Sequence, residues 1–161
     1  MATHIASQKK SSGTLEFNPS IANLLTEEGI ENAVAGTNAH IYEAIGFAEY
    51  MPSDVPATEM EQQQRERTRR IGYLSAEEFY GTIYKNMPHG SVLLTGNMRD
   101  DSPQASFVID GLGWPGIIQR STEDYLAILE RAGIPAEAVE LYIPDPQNSA
   151  AVYNLVAIKK L

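Results

Sequence analysis

The side chains in this sequence that could do chemistry fall at the ends of short apolar segments. Glu16 closes the alternating stretch Thr14–Phe17, where an ionised carboxylate can accept two hydroxyl hydrogen bonds or simply stand as a surface charge beside a helix start. Asn38 and Ala39 end the turn Gly36-Thr37-Asn38-Ala39, and the amide offers a donor and an acceptor to a ligand edge, or to the turn itself. Gly46 terminates the apolar run that begins at Ile41, with Glu49 and Tyr50 just beyond it. A glycine there lets a ligand approach the backbone, and an acid and a phenol would then face it. The plainer reading makes Gly46 a strand end, Glu49 a helix-start acid and Tyr50 a packing residue. Asn97 follows Val92-Leu93-Leu94 and is placed to orient a bound molecule by hydrogen bonds. Further on, the glycine-rich Gly111-Leu112-Gly113-Trp114-Pro115-Gly116 and the nearby Arg120 suit a cover over a substrate, although the sole tryptophan serves equally as a packing anchor.

Other chemistries are poorly supplied. The chain has no cysteine, which removes thiolate metal sites, disulfides and a thiol nucleophile, and His4, His40 and His89 have no partner at ligand spacing, so no metal site is expected. There is neither a Gly-x-Ser-x-Gly elbow nor a phosphate-binding Gly-Lys-Ser/Thr loop. Twelve Lys and Arg against 21 Asp and Glu give a net charge of −9, which argues against nucleic acid as a partner. The one basic cluster, Arg65, Arg67, Arg69 and Arg70, is interleaved with Glu66 and preceded by Glu59 and Glu61, and reads as a solvated helix face. No apolar run approaches the roughly 18 residues that cross a bilayer, and the amino terminus lacks the regions of a signal peptide, so no membrane partner and a cytoplasmic location are expected.

The elements that must position these residues can be read from patterning. At 161 residues and 43% hydrophobic, the chain suits one globular domain. Residues 1–13 are polar and aperiodic and read as a flexible tail, leaving 14–161 as the domain. Asn18 and Pro19 are expected to open a helix that ends at Gly29, with Ile21, Ala22, Leu24 and Leu25 as its stripe. Asn32–Ala35 is a brief strand candidate, and Ile41–Phe47 reads as a strand covered on both faces. Thr58–Arg70 has helix propensity without an apolar stripe and should lie on the surface or form a lid. Capping boxes at Ser75/Glu78 and Ser121/Asp124 open two helices whose apolar residues recur at helical spacing. Ser91–Thr95 reads as a central strand, and Val139–Ile143 and Val152–Ile158 as two strands joined without a helix, hence antiparallel.

Strands separated by helices imply right-handed crossovers and an α/β fold with a mostly parallel sheet, helices on both faces and a carboxyl-terminal antiparallel hairpin. Ligands in such sheets sit at the carboxyl ends of the parallel strands, where Glu16, Asn38, Gly46 and Asn97 all fall.

These segments resemble the Rossmann-like class I methyltransferases that use S-adenosylmethionine, over residues 14–161 and most strongly from Ile41 onward. Leu15-Glu16-Phe17-Asn18-Pro19 is similar to the end of that family's second strand, Gly36–Ala39 to the turn after its third, and Ile41–Met51 to its fourth strand and following loop. Phe79–Met98 resembles the next helix, a Pro-Gly turn and the fifth strand, and the reversed final hairpin is similar too. The resemblance implies S-adenosylmethionine as cofactor, held by Glu16 at the ribose, Asn38 and Ala39 at the adenine, and Gly46. Glu49, Tyr50 and Asn97 would stand beside the transferable methyl, and Trp114 and Arg120 would meet a small-molecule methyl acceptor. The family's opening strand and glycine-rich loop have no counterpart. That strand lies centrally, so its place beside Ile41–Phe47 is expected to be taken by Thr14–Phe17, or by a second copy or complementing chain at an exposed sheet edge. The alternative is a non-catalytic remnant acting as an assembly or binding module.

Overall fold

A computed structural model describes residues 22–34, 40–105, 107–111, 113, 116–142 and 153–161. Among them are four strands, β1 (Ile41–Ala44), β2 (Val92–Met98), β3 (Val139–Tyr142) and β4 (Tyr153–Lys159), in the sheet order β1-β2-β4-β3. β1 runs parallel to β2, while β4 is antiparallel to both β2 and β3. Three strands therefore share one direction, and the last strand of the chain is inserted between β2 and β3 in reverse. This is the α/β sheet with an antiparallel closing pair that the patterning implies, but among the described residues the helices that share its core lie on one face rather than on both. The candidates Thr14–Phe17, Glu16, Asn38, Ala39 and Trp114 lie outside the described residues.

The described helices are α1 (Glu27–Val34), α2 (Glu59–Arg70), α3 (Ala76–Asn86) and α4 (Thr122–Arg131). α3 and α4 start where their local chemistry dictates. Ser75 accepts from the Glu78 N–H at 3.1 Å while Glu78 accepts from the Ser75 N–H at 2.7 Å, a reciprocal cap. Ser121 accepts from the Asp124 N–H at 3.0 Å, and Gly133, with φ +77°, ends α4 in the left-handed conformation glycine favours. α2 likewise opens on Thr58, and Glu61 is the only fully buried residue along it.

Near the amino-terminal end of the described chain the structure departs from the expected layout. α1 begins at Glu27, so Gly29 lies within a helix rather than at the end of one, and Asn32–Val34 are helical rather than a strand. The reason is local: the Thr26 hydroxyl accepts from the Gly29 N–H at 3.2 Å, making Thr26-Glu27-Glu28 an amino-terminal cap with acids in the first turn. Gly29 is demanded by close approach, since a Cβ there would meet the Asn23 carbonyl oxygen at 1.9 Å. β1 is also shorter than the apolar run and alternates in exposure instead of being covered on both faces. β2 is longer than its apolar run, continuing through Gly96-Asn97-Met98 because β4 pairs with it as far as Tyr153.

α1, α3 and α4 share a core with one face of the sheet. Ile30, Phe79, Tyr80, Ile83, Tyr125 and Ile128 pack there on Leu93, Val156 and Ile158, all 7% exposed or less. Phe79, Tyr80 and Tyr125 meet edge to face, with centroids 5.4 and 6.1 Å apart. Each such side chain removes enough apolar surface to contribute roughly 1.5–3 kcal/mol. The opposite face carries Leu94, Leu155, Ala157 and Tyr142. The two caps differ in what else they hold: the Ser75 hydroxyl also donates to Asp54 Oδ2 at 3.0 Å and is fully buried. Ser75→Ala should therefore cost about 1–2 kcal/mol and Ser121→Ala about 0.5–1 kcal/mol by urea unfolding.

Candidate functional site

The carboxyl end of β1 leads through Ile45-Gly46-Phe47 into a single 3₁₀ turn, Ala48–Tyr50. Gly46 has φ +77°, so the chain bends sharply at the strand end in a conformation that L side chains rarely adopt. The bend delivers Glu49 inward. Its carboxylate, 1% exposed, accepts from the Met98 N–H at 3.3 Å and from the Tyr153 hydroxyl at 3.1 Å, joining β1's exit to the ends of β2 and β4. Tyr50, next in sequence, stays 42% exposed.

Beyond β2 the segment Ile117–Arg120 returns along the same rim. The Ile118 N–H donates to the Glu49 carbonyl at 2.7 Å and the Arg120 N–H to the Met98 carbonyl at 3.0 Å, extending the sheet pattern past its last strand residue. Arg120 thereby turns inward. Its Nη2 donates to the Met51 carbonyl at 2.7 Å and to Glu61 Oε1 at 2.9 Å. The hydrogen-bond network fixes the Asn97 amide so that Oδ1 accepts from Arg120 Nη1 at 3.1 Å and Nδ2 donates to the Met98 carbonyl at 3.0 Å. Glu61 in turn accepts from the Ser53 N–H at 2.9 Å and, through Oε2, from the Ala57 N–H at 3.0 Å, so the loop after the 3₁₀ turn is clamped to the same ion pair.

Opposite Asn97 in the ladder stands Asn154, also without exposed surface. Its Oδ1 accepts from the Thr122 hydroxyl at 2.9 Å, while Nδ2 has no partner among the described residues. Thr95, two residues before Asn97, bonds the Tyr80 hydroxyl at 3.0 Å, which meets the Tyr125 hydroxyl at 3.1 Å. The result is a polar layer under the rim, enclosed by apolar packing.

Electrostatics follow from this enclosure. Burial raises the Glu49 carboxyl above its ordinary 4.5, against the opposing pull of the Tyr153 hydroxyl, the Met98 N–H and the Arg120 charge. Tyr153 is pushed up to about 12, chiefly by burial and next by the neighbouring carboxylate. Burial also raises Tyr80 and Tyr125, so both phenols stay neutral hydrogen-bonding groups.

The structure thus brings together Gly46, Glu49, Asn97 and Arg120, with Tyr50 at the exposed margin. The guanidinium of Arg120 is spent on Glu61, Met51 and Asn97, and its side chain is 5% exposed. Sequence reasoning missed Glu61, Tyr153 and Asn154. Glu61 gives no signal, because one buried acid within a polar helix does not change its pattern, whereas Asn97 and Asn154 are polar residues at inward strand positions and are detectable once the register is known. Among the described residues no group of His, Asp and Glu is placed to hold a metal ion, and no helix is long and apolar enough to cross a membrane.

No protein-family model matches the sequence, and no curated protein is significantly similar to it. Solved structures are similar. PigF, determined with SAH, superposes with a TM-score of 0.50 at 12% identity, over 81% of this chain and 33% of that one. The CMeT domain of the citrinin polyketide synthase superposes with a TM-score of 0.50 at 15% identity, over 81% of this chain and 31% of that one. The fold is that of the class I methyltransferases. The chain spans about a third of the length of these methyltransferase-fold structures.

Two outcomes follow from the rim. Because Glu49 holds its proton more tightly folded than unfolded, the wild type should lose stability as the pH rises from about 4.5 through the raised folded value, and then level off. Glu49→Gln removes that contribution, so its stability relative to wild type should climb across the same interval in urea titrations. Arg120→Met strands the Glu61 carboxylate and should cost about 3–5 kcal/mol by urea unfolding, whereas Arg120→Met combined with Glu61→Met should cost less than the sum of the two single changes, with the Ser53 and Ala57 N–H groups then left without their acceptor.

Proposed function

We propose that this chain supplies the strand-end rim of an S-adenosylmethionine-dependent methyltransferase centre that acts on a small molecule. The observation that carries this reading is the sheet order, in which β1 pairs in parallel with β2, so that their carboxyl ends lie side by side next to the Gly46 bend, and β4 is reversed and inserted between β2 and β3. Methyl transfer from a sulfonium demands mainly alignment, with a base only where the acceptor must lose a proton. A rim held rigid by a buried network is suited to that task.

Of the residues expected to hold the cofactor only Gly46 is among those described: its φ of +77° accounts for the glycine, and the cofactor would approach the backbone there, where no side chain stands. Glu16 would take the ribose hydroxyls, and Asn38 with Ala39 the adenine. Bound there, S-adenosylmethionine supplies an electrophilic methyl group. This chain's residues bind and orient. Tyr50, exposed just beyond the bend, would meet the acceptor, with Trp114 as a wall. Glu49, Asn97 and Arg120 work from beneath as positioning residues, since their polar atoms are engaged with one another and with the backbone.

A second reading, a non-catalytic assembly module with the same fold, draws on the same burial of Asn97 and Arg120. In either case a homodimer or a complementing chain at the sheet edge beside β1 would complete the sheet, and the acidic balance suits a cytoplasmic protein without nucleic-acid or membrane partners. Isothermal titration with S-adenosylmethionine and S-adenosylhomocysteine separates the readings. Saturable binding, weakened about tenfold to a hundredfold by Glu16→Ala, supports the centre; no binding at millimolar concentration leaves the assembly module.

A further inference from the structure

α2 uses two of its sides differently. Glu61 and Arg65, one turn apart, hold it to the protein, Glu61 through Arg120 at 2.9 Å and Arg65 through Asp54 at 2.6 Å. Met60, Gln64 and Arg67, with Ile71 just past the carboxyl end, recur at helical spacing along another side. Together with Tyr73 and Gly116 they line a groove of about 490 Å³, a size that suits a small molecule. Both walls are held by bonds among the described residues. Gln64 Nε2 donates to the Tyr50 carbonyl at 3.1 Å, and two residues after Gly116 the Ile118 N–H donates to the Glu49 carbonyl. The groove therefore adjoins the strand-end rim on both sides.

The lining selects a ligand. Arg67 is the only charged residue in the walls, and it has no ion-pair partner among the described residues, whereas Arg65 and Arg70 of the same cluster are paired. Met60 and Ile71, 62% and 63% exposed, are apolar residues on an otherwise polar helix and its end, and they meet in this groove. Gly116 presents bare backbone, with no atom beyond its chain neighbours within 4 Å of the place a Cβ would take. A thioether and a phenol ring favour an aromatic face, the glycine leaves room for one, and the planar fork of a guanidinium matches a carboxylate.

We propose that this groove binds an aromatic monocarboxylic acid, with its ring against Met60, Ile71 and Tyr73 and its carboxylate on Arg67. One lining cation suits one negative charge, and the net −9 of the chain disfavours a polyanion. Because Gln64 belongs to both groove and rim, this acid is the class of molecule that accepts the methyl group, a role that rests on the methyl-transfer reading. In that role a nucleophilic oxygen or nitrogen of the acid forms the bond to carbon as the carbon–sulfur bond of the sulfonium breaks, and its proton passes to water.

The test is isothermal titration of the full chain, without cofactor, using 2-naphthoate as the probe and 2-naphthamide, with the same rings and no charge, as its counterpart. The acid should bind saturably at or below about 1 mM and the amide about tenfold more weakly. Arg67→Gln should weaken the acid about tenfold and leave the amide unchanged, whereas Arg69→Gln, two residues on and outside the groove, should alter neither. Ile71→Asp should weaken both. Decanoate, apolar and charged but without a ring, should bind several-fold less well than 2-naphthoate. All three substituted side chains are exposed, and circular dichroism verifies that each variant folds. No saturable binding, equal affinity for acid and amide, decanoate binding as tightly as 2-naphthoate, or equal losses from Arg67→Gln and Arg69→Gln overturns the proposal. The two readings fail separately. Binding of S-adenosylmethionine without 2-naphthoate overturns the groove alone, while binding of 2-naphthoate that depends on Arg67, without S-adenosylmethionine, upholds the groove and removes its methyl-acceptor role.

Discussion

A guanidinium removed from water is tolerated only when its donors are met, and the rim of this protein is arranged around that requirement at Arg120. Four stretches of chain come together there: the loop after the 3₁₀ turn through the Met51 carbonyl, α2 through Glu61, β2 through Asn97, and the Ile117–Arg120 return through its own backbone bond to Met98. A lysine's three donors radiate from one nitrogen, whereas the planar fork of arginine reaches separated acceptors from two, Nη2 to Met51 and Glu61 and Nη1 to Asn97. The pairing explains why α2, polar along nearly its whole length, is nonetheless anchored: Glu61 alone is fully buried, and it is the residue that both neutralises Arg120 and receives the N–H groups of Ser53 and Ala57.

Glu49 complements this from the other side of the bend. It lies near enough to feel Arg120, yet its oxygens are taken by Tyr153 and Met98. The strand ends are thereby fixed by two carboxylates with different duties, one in a close ion pair and one held by a phenol and a backbone N–H. Preorganisation of this kind lets a loop at the top of a sheet hold its shape without secondary structure of its own.

What could be read from residues alone divides by range. The caps of α3 and α4 are completed within three residues of their start, so Ser75, Glu78, Ser121 and Asp124 revealed both helices. Gly29 misled because a glycine after an apolar stripe looks the same whether it ends a helix or admits a neighbouring carbonyl, and only the position of Asn23 distinguishes the two. The extension of β2 through Gly96–Met98 is set by a strand more than fifty residues later, which no local pattern reports. At the rim, Gly46 was legible as a strand end, whereas Glu49 and Asn97 were expected to face a ligand and are instead buried, Asn97 within β2 itself, because the partners that enclose them come from distant segments. Arg120 was visible as a residue but not in its inward role, which depends on Glu61, an acid that looks like any other on a solvated helix.

Patterning also bears on the sheet as a whole. A strand meant to face water on one side alternates, as β3 does with Glu140 and Tyr142 set outward from Val139 and Leu141. β2 does not alternate: Val92, Leu93 and Leu94 are consecutive, and only Leu93 of the three is taken into the core shared with α1, α3 and α4. Leu94 gains nothing from that core, and as a central-strand residue it would ordinarily be polar if its surroundings were solvent. With Leu155 and Ala157 beside it, Leu94 makes the middle of that face apolar, while Glu43 and Glu140 stand at the two borders of its row. The alternation is thus kept by the outer strands, whose carboxylates would lose several kcal/mol if buried unpaired, and given up in the central ones.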